Sequence, residues 1–183
     1  MHYGPGMRQW ILVLAAVGLA ACSSGGGPTV EREVPDVIQV SSPAFAEGAP
    51  VPARFTCSGQ DVAPPLAWSG VPQGAAELAL VVDDPDAPRG TYVHWVLFHL
   101  DPGLTGLAEG RLPAGARQAR NSGGKAGYSG PCPPAGAPHH YRFTLYALGQ
   151  PLDLSDGAGL EDAVAAIERA ATGQGRLTGT FGR

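Results

Sequence analysis

The stretch Asp83-Asp84-Pro85-Asp86-Ala87-Pro88 decides how this chain is read. It closes an apolar run, Glu77 to Val82, and precedes a second run that opens at His94 and ends at Leu100. Both runs are short and rich in β-branched or aromatic residues, so they read as strands buried on both faces rather than as helix. Proline fixes φ and lacks a backbone donor, so neither Pro85 nor Pro88 continues a strand. The corner between the runs is therefore stiff, and it holds Asp84 and Asp86 in fixed positions at a strand end. Two roles are open to these carboxylates. One is local turn capping, which Asp commonly performs. The other is to line a small anion site together with the segment from Gly127 to Tyr141.

Working outward, Tyr141 to Leu148 alternates well enough to be a third central strand. Val37–Val40, Ala53–Thr56 and Arg176–Phe181 read as further strands, and Leu66-Ala67-Trp68 as an apolar landing point. Leu160, Ala163, Val164, Ile167 and Ala171 recur at helical spacing, which predicts one amphipathic helix with Gly173 as its stop. The chain of 183 residues carries 27 glycines, 18 prolines and only 15% charged residues, which argues against a helical bundle. Mostly strands, one late helix and no repeats predict a mainly β fold with peripheral α, built on an antiparallel sheet. The formal charge of −4 and the lack of a basic stripe exclude a nucleic-acid binder.

The N-terminus reads as a processing signal. Trp10 to Ala21 is apolar, follows Arg8, ends in small residues and is too short to span a bilayer. Leu19-Ala20-Ala21-Cys22 resembles the lipobox of bacterial lipoproteins, in which the Cys is diacylated after cleavage. Two acyl chains give stable anchoring where one is marginal. The expected organisation is a signal peptide over 1–21, a lipidated Cys22 with a Ser/Gly/Pro-rich tether over 22–36, and one domain over 37–183. Ser23 after the Cys favours the outer membrane and its periplasmic face. The two remaining cysteines, Cys57 and Cys132, are a pairable number in an oxidising compartment. The sequence does not bring them within bonding range, so a disulfide and two free thiols both stay open.

The groups with chemistry to offer are Asp84, Asp86, His94, His139, His140, Tyr141 and the loop Gly127–Gly136. Histidines donate hydrogen bonds to an oxyanion, and a nearby carboxylate fixes their tautomer. A Gly/Pro loop offers amides in a rigid frame, a setting for an anion nest. His94, His139 and Asp84 also have the composition of a two-His, one-carboxylate metal site, but no short ligand spacing supports one. Ser129 lies in Gly-Tyr-Ser-Gly-Pro, where Pro131 breaks the nucleophile-elbow pattern. No catalytic residue, metal or cofactor is expected.

Asp84-Pro85-Asp86-Ala87-Pro88, His94-Trp95, Gly127-x-x-Gly130-Pro131-x-Pro133-Pro134-x-Gly136 and His139-x-Tyr141 together resemble the phosphatidylethanolamine-binding protein family, in its bacterial Raf kinase inhibitor-like branch. Phe55-Thr56-Cys57-x-Gly59, Pro64-Pro65-Leu66-x-Trp68 and Leu177 to Arg183 extend the match over nearly all of 37–183. The resemblance implies a large central antiparallel sheet, a second smaller sheet and a helix near the C-terminus. It also implies a pocket for phosphate-like anions lined by Asp84, His94, His139 and Tyr141. Gly130, Pro131 and Pro133 would form its wall, and Asp86 and Pro88 would brace the corner. His140 stands where the family usually has Arg, and Asn121-Ser122-Gly123-Gly124 replaces an Asn-Asp-Phe-Gly type segment. The expected function is an envelope lipoprotein binding a small anion or phospholipid head group. The alternatives are an inhibitor of a protease or kinase-type protein partner, and a hydrolase using the His pair.

Overall fold

The computed structural model of the chain describes residues 1–2 and 33–183. The signal segment, Cys22 and the tether up to residue 32 lie outside the described residues. Residues 33–183 form one compact unit. Its order is β1 (Gln39–Ser41), β2 (Leu66–Ser69), β3 (Glu77–Asp84), β4 (Tyr92–Leu100), β5 (Gly106–Leu107), β6 (Arg117–Gln118), β7 (His139–Leu148), α1 (Leu160–Ala170) and β8 (Ala171–Phe181). Five strands make an antiparallel sheet in the order β6-β4-β3-β7-β8, and β1-β2-β5 make a second, three-stranded one. Among the described residues the fold is mainly β, with two antiparallel sheets and one α-helix.

The apolar runs occupy the centre, as their composition requires. Leu78 to Val82 and Trp95 to Phe98 are buried throughout, because each strand is covered on both faces. On one face Leu80, Val82, Leu97 and Phe143 pack against Ile38, Leu66, Trp68 and Leu107 of the small sheet and its approaches. On the other face Ala79, Val81, Val96 and Phe98 pack with Ala163, Ile167 and Ala170 of the helix. The helix opens with Glu161 and Asp162 and closes with Arg169, the charge order that its dipole favours.

Two local expectations change. Ala53–Phe55 is a 3-10 turn, not a strand. The Thr56 hydroxyl and amide both donate to the Ala53 carbonyl, at 2.8 and 3.0 Å, and this local closure competes with extension. The helix stops at Ala170 rather than near Gly173, because Ala171 takes an extended conformation and the chain runs straight into β8. The glycines of β8 serve close approach instead. A Cβ at Gly175 would overlap the Ile38 carbonyl, and one at Gly173 would sit 2.9 Å from Val37 Cγ2. The crossing segment includes Pro35, whose carbonyl accepts the Gln174 N–H at 2.8 Å.

Candidate functional site

The site begins with a register shift. Val82 pairs with Trp95, yet Asp83 pairs with Val93, so His94 is the extra residue of a β-bulge in β4. A bulge re-aims side chains that strict alternation would send to opposite faces. Trp95 lies in the core shared with the small sheet, and so does Tyr141. The His94 ring lies 5.3 Å from the Tyr141 ring, edge on, and 4.9 Å from that of Tyr92. Neighbouring residues His94 and Trp95 therefore serve one face. Asp84 is 4% exposed at the end of β3, and its Oδ2 accepts the Nδ1–H of His139 at 2.7 Å. The structure thus brings Asp84, His94, His139 and Tyr141 together.

The hydrogen bonds decide what these groups present. Asp84 Oδ1 accepts the Asp86 amide at 2.8 Å, so this carboxylate caps the turn and orients a histidine at once. His94 Nδ1 faces the Ser129 carbonyl at 2.6 Å; a carbonyl only accepts, so Nδ1 carries the proton. Burial pushes the His94 pKa below its ordinary value, against the Ser129 hydrogen bond and the charges of Asp84, Asp83 and Asp61. At neutral pH His94 is therefore neutral, and its Nε2 offers a lone pair. The Tyr141 hydroxyl is buried near the Asp84 carboxylate, and no group among the described residues meets it in hydrogen-bonding geometry. Burial first, and the neighbouring Asp84 carboxylate second, raise the pKa of that phenol, while the Arg183 guanidinium works against them. A partnerless buried donor beside two oriented imidazoles marks a place where one more acceptor is wanted.

Two amides of the loop Gly127–Gly136 are taken up by the fold. The Gly130 amide, expected to be available to an anion, donates to Asp61 Oδ1 at 2.6 Å, and the Ser129 amide donates to the His94 carbonyl at 3.2 Å. Asp61, at φ +55°, holds the glycine from across the fold. Pro131 and Pro133 are buried. The Pro131 carbonyl accepts the Cys57 amide at 3.1 Å, and Cys57 and Cys132 are joined in a disulfide with Cα atoms 5.4 Å apart. Tyr128 adds a hydroxyl bond to the Phe55 carbonyl at 2.8 Å. A Cβ at Gly130 would overlap the Phe55 carbonyl and come within 2.8 Å of Thr56 Cα. Gly130→Ala is therefore expected to destabilise the domain by about 1–3 kcal/mol, read as a lowered denaturation midpoint. An unchanged midpoint would mean that the wall is not close-packed.

Several partners were not legible in the sequence. Asp86, exposed at the rim, accepts both the amide and the ring N–H of His140, at 2.8 and 2.7 Å, and these bonds lower its pKa. Asp83 takes Arg142 in a two-pronged pair at 2.7 and 2.6 Å. The corner is thus fastened to β7 by three acidic residues, Asp83, Asp84 and Asp86, and Pro88 stands exposed beyond them. Asn121 is buried, donates to the carbonyls of His94 and Gly127 at 3.4 and 3.3 Å, and accepts from Gly123 and Lys125. No three His, Cys, Asp or Glu side chains among the described residues are grouped as metal ligands would be. A cleft of about 240 Å³ is lined by Asp61, Trp95, Gln118 and Tyr128, and by none of Asp84, His94, His139 and Tyr141.

The family model for phosphatidylethanolamine-binding proteins matches residues 41–182. The chain belongs to the phosphatidylethanolamine-binding protein family. Within it, the chain is 50% identical over 182 residues to a Mycobacterium tuberculosis protein named "Putative lipoprotein LppC", covering 90% of each chain. It is 48% identical over 145 residues to a UPF0098 protein of Methanothermobacter thermautotrophicus, covering 76% of this chain and 95% of that one. Among solved structures, E. coli YbcL, described as a member of the mammalian PEBP family, superposes with a TM-score of 0.76 at 30% identity. That match covers 80% of this chain and 99% of YbcL. A phosphatidylethanolamine-binding protein homolog from Chlamydia trachomatis gives a TM-score of 0.75 at 37% identity, covering 81% and 99%. The family match spans Asp84, His94, His139 and Tyr141 alike.

Proposed function

We propose that this family member is a lipid-anchored envelope protein that binds a small phosphate-like anion at Asp84, His94, His139 and Tyr141. The observation that carries the reading is the buried Tyr141 hydroxyl, without a hydrogen-bond partner among the described residues and close to the His94 ring and the Asp84 carboxylate that holds His139. The chemistry sets a condition on the ligand. Asp84 fixes His139 with Nδ1–H spent, and Ser129 does the same for His94, so both imidazoles present Nε2. An anion needs a donor there, and a proton must therefore arrive with it. Anchoring rests on the lipobox-like Leu19–Cys22 and on the lipoprotein name of the mycobacterial relative. The outer membrane and its periplasmic face suit the Ser23 that follows the cysteine.

The test is calorimetric titration of the full-length protein in detergent with phosphate and phosphoethanolamine, near pH 6. Asp84→Asn and His139→Gln serve as controls, with folding checked by circular dichroism. Saturable binding that both changes abolish is expected. No binding by folded protein would overturn the reading and favour recognition of a protein partner.

A pH series supplies the second prediction. His94 is held neutral by burial, so binding takes up a proton that the free site lacks at neutral pH. Affinity then rises as pH falls, by about tenfold per pH unit for one proton, and levels off only below the depressed His94 value. Sulfate keeps its charge between about pH 5 and about pH 8, the range in which His titrates, so it isolates the protein's proton. A flat sulfate profile over that range would sink the proton account.

A further inference from the structure

The anion site is poor in positive charge. Asp84 is committed to His139 and Asp86, at the rim, to His140, and His94 carries no charge at neutral pH. A doubly charged phosphate entering beside Asp84 meets repulsion that a neutral His94 does not offset.

One cation is positioned to correct this. Phe181 pairs with His139 across β7 and β8, so Arg183 lies two residues beyond the partner of a site histidine. Its Nε–H donates to the Pro133 carbonyl at 2.6 Å, which folds the side chain back onto the wall of the site. The Gly136 amide donates to the Arg183 carbonyl at 3.4 Å, and Gly182 lies against Pro138, where an added Cβ would sit 3.2 Å away. These contacts hold Arg183 in place. Nε is the atom the wall uses; the two terminal NH2 groups have no hydrogen-bond partner among the described residues. Arg142, by contrast, is spent on Asp83, and Arg54 on Glu109 and Gln60. The guanidinium also bears on the Tyr141 hydroxyl, whose pKa it pulls down.

We propose that Arg183 supplies the fixed positive charge of the anion site and thereby selects phosphates with a free terminal PO3 group over phosphodiesters. The inference rests on the anion-binding reading above. A guanidinium fork pairs best with two oxygens of one group. A phosphomonoester has three terminal oxygens, enough for the fork and for the histidine and tyrosine donors together. A phosphodiester has two, and an intact phospholipid is a diester. The chemical class indicated is therefore inorganic phosphate or a water-soluble phosphomonoester.

The experiment compares phosphoethanolamine, a monoester, with glycerophosphoethanolamine, a diester, by calorimetry on the full-length protein in detergent. The variants are Arg183→Gln and Arg183→Lys. Wild type is expected to prefer the monoester by about tenfold, a typical worth of a charge-assisted pair. Arg183→Gln is expected to lose at least most of that preference and about tenfold of monoester affinity. Arg183→Lys, with charge but no fork, is expected to lie between them. Melting temperatures are expected to match wild type, because the side chain is exposed. Unchanged monoester affinity in Arg183→Gln overturns the inference while leaving the site intact, and so does an equal or stronger affinity for the diester in wild type. Failure of wild type to bind either compound overturns the anion-binding reading and this inference with it.

Discussion

Cys57→Ser is expected to lower the stability of the domain by about 4 kcal/mol, the loop-closure value for a long cross-link. The cysteines are 75 residues apart in sequence, so the bond removes a large loop from the unfolded ensemble. At about 2–4 °C per kcal/mol for a domain of this size, the melting temperature should fall by about 10 °C. Cys132→Ser and the double variant should fall equally, since each breaks the same bond. Native structure should persist below the transition, because the wall keeps the Tyr128–Phe55, Gly130–Asp61 and Cys57–Pro131 hydrogen bonds. Thermal melts of the oxidised protein, the reduced protein and the variants measure the effect. Coincident melts would show that the covalent link does not stabilise this domain.

Glu77→Ala is expected to be comparably damaging, at about 3–5 kcal/mol. Glu77 begins β3 and is 3% exposed. Its Oε1 accepts the His99 amide at 2.8 Å, and its Oε2 accepts the His99 ring N–H at 2.9 Å and the Leu152 amide at 3.1 Å. One carboxylate thus satisfies two backbone donors and an imidazole inside the fold. It also holds His99 at φ +57°, a conformation that a non-glycine residue adopts only where its surroundings require it. Truncation leaves those donors buried and unpaired. Glu77→Gln keeps one acceptor oxygen and should lose about half as much. Chemical denaturation of both variants gives the comparison, and a loss below about 1 kcal/mol in Glu77→Ala would mean that water replaces the carboxylate.

The site was legible in proportion to how local its signals are. Pro85 and Pro88 announce a stiff corner because proline limits the backbone wherever it stands. Asp84 had two readings, turn cap and site carboxylate, and the structure gives it one oxygen for each. The loop Gly127–Gly136 was legible as a shaped segment, but the use of its amides was not. The Gly130 amide meets Asp61 across 69 positions of sequence, and no local pattern announces that bond. Arg183 is a similar case. Its place on the wall depends on β8 pairing with β7, which puts Phe181 beside His139.

By itself, the sequence determined the central strands, the order of their apolar runs, the rigid corner and, through ordered motifs, the family. These follow from backbone restriction and side-chain period, which act over a few residues. Only the tertiary structure decided which groups share the site. A one-residue bulge turns His94 onto the face that Trp95 already occupies, and the register of β3 against β4 sets that bulge, not the composition of either strand. The proton on His94 depends in turn on the Ser129 carbonyl and on burial, neither of which exists until the loop is folded against β4.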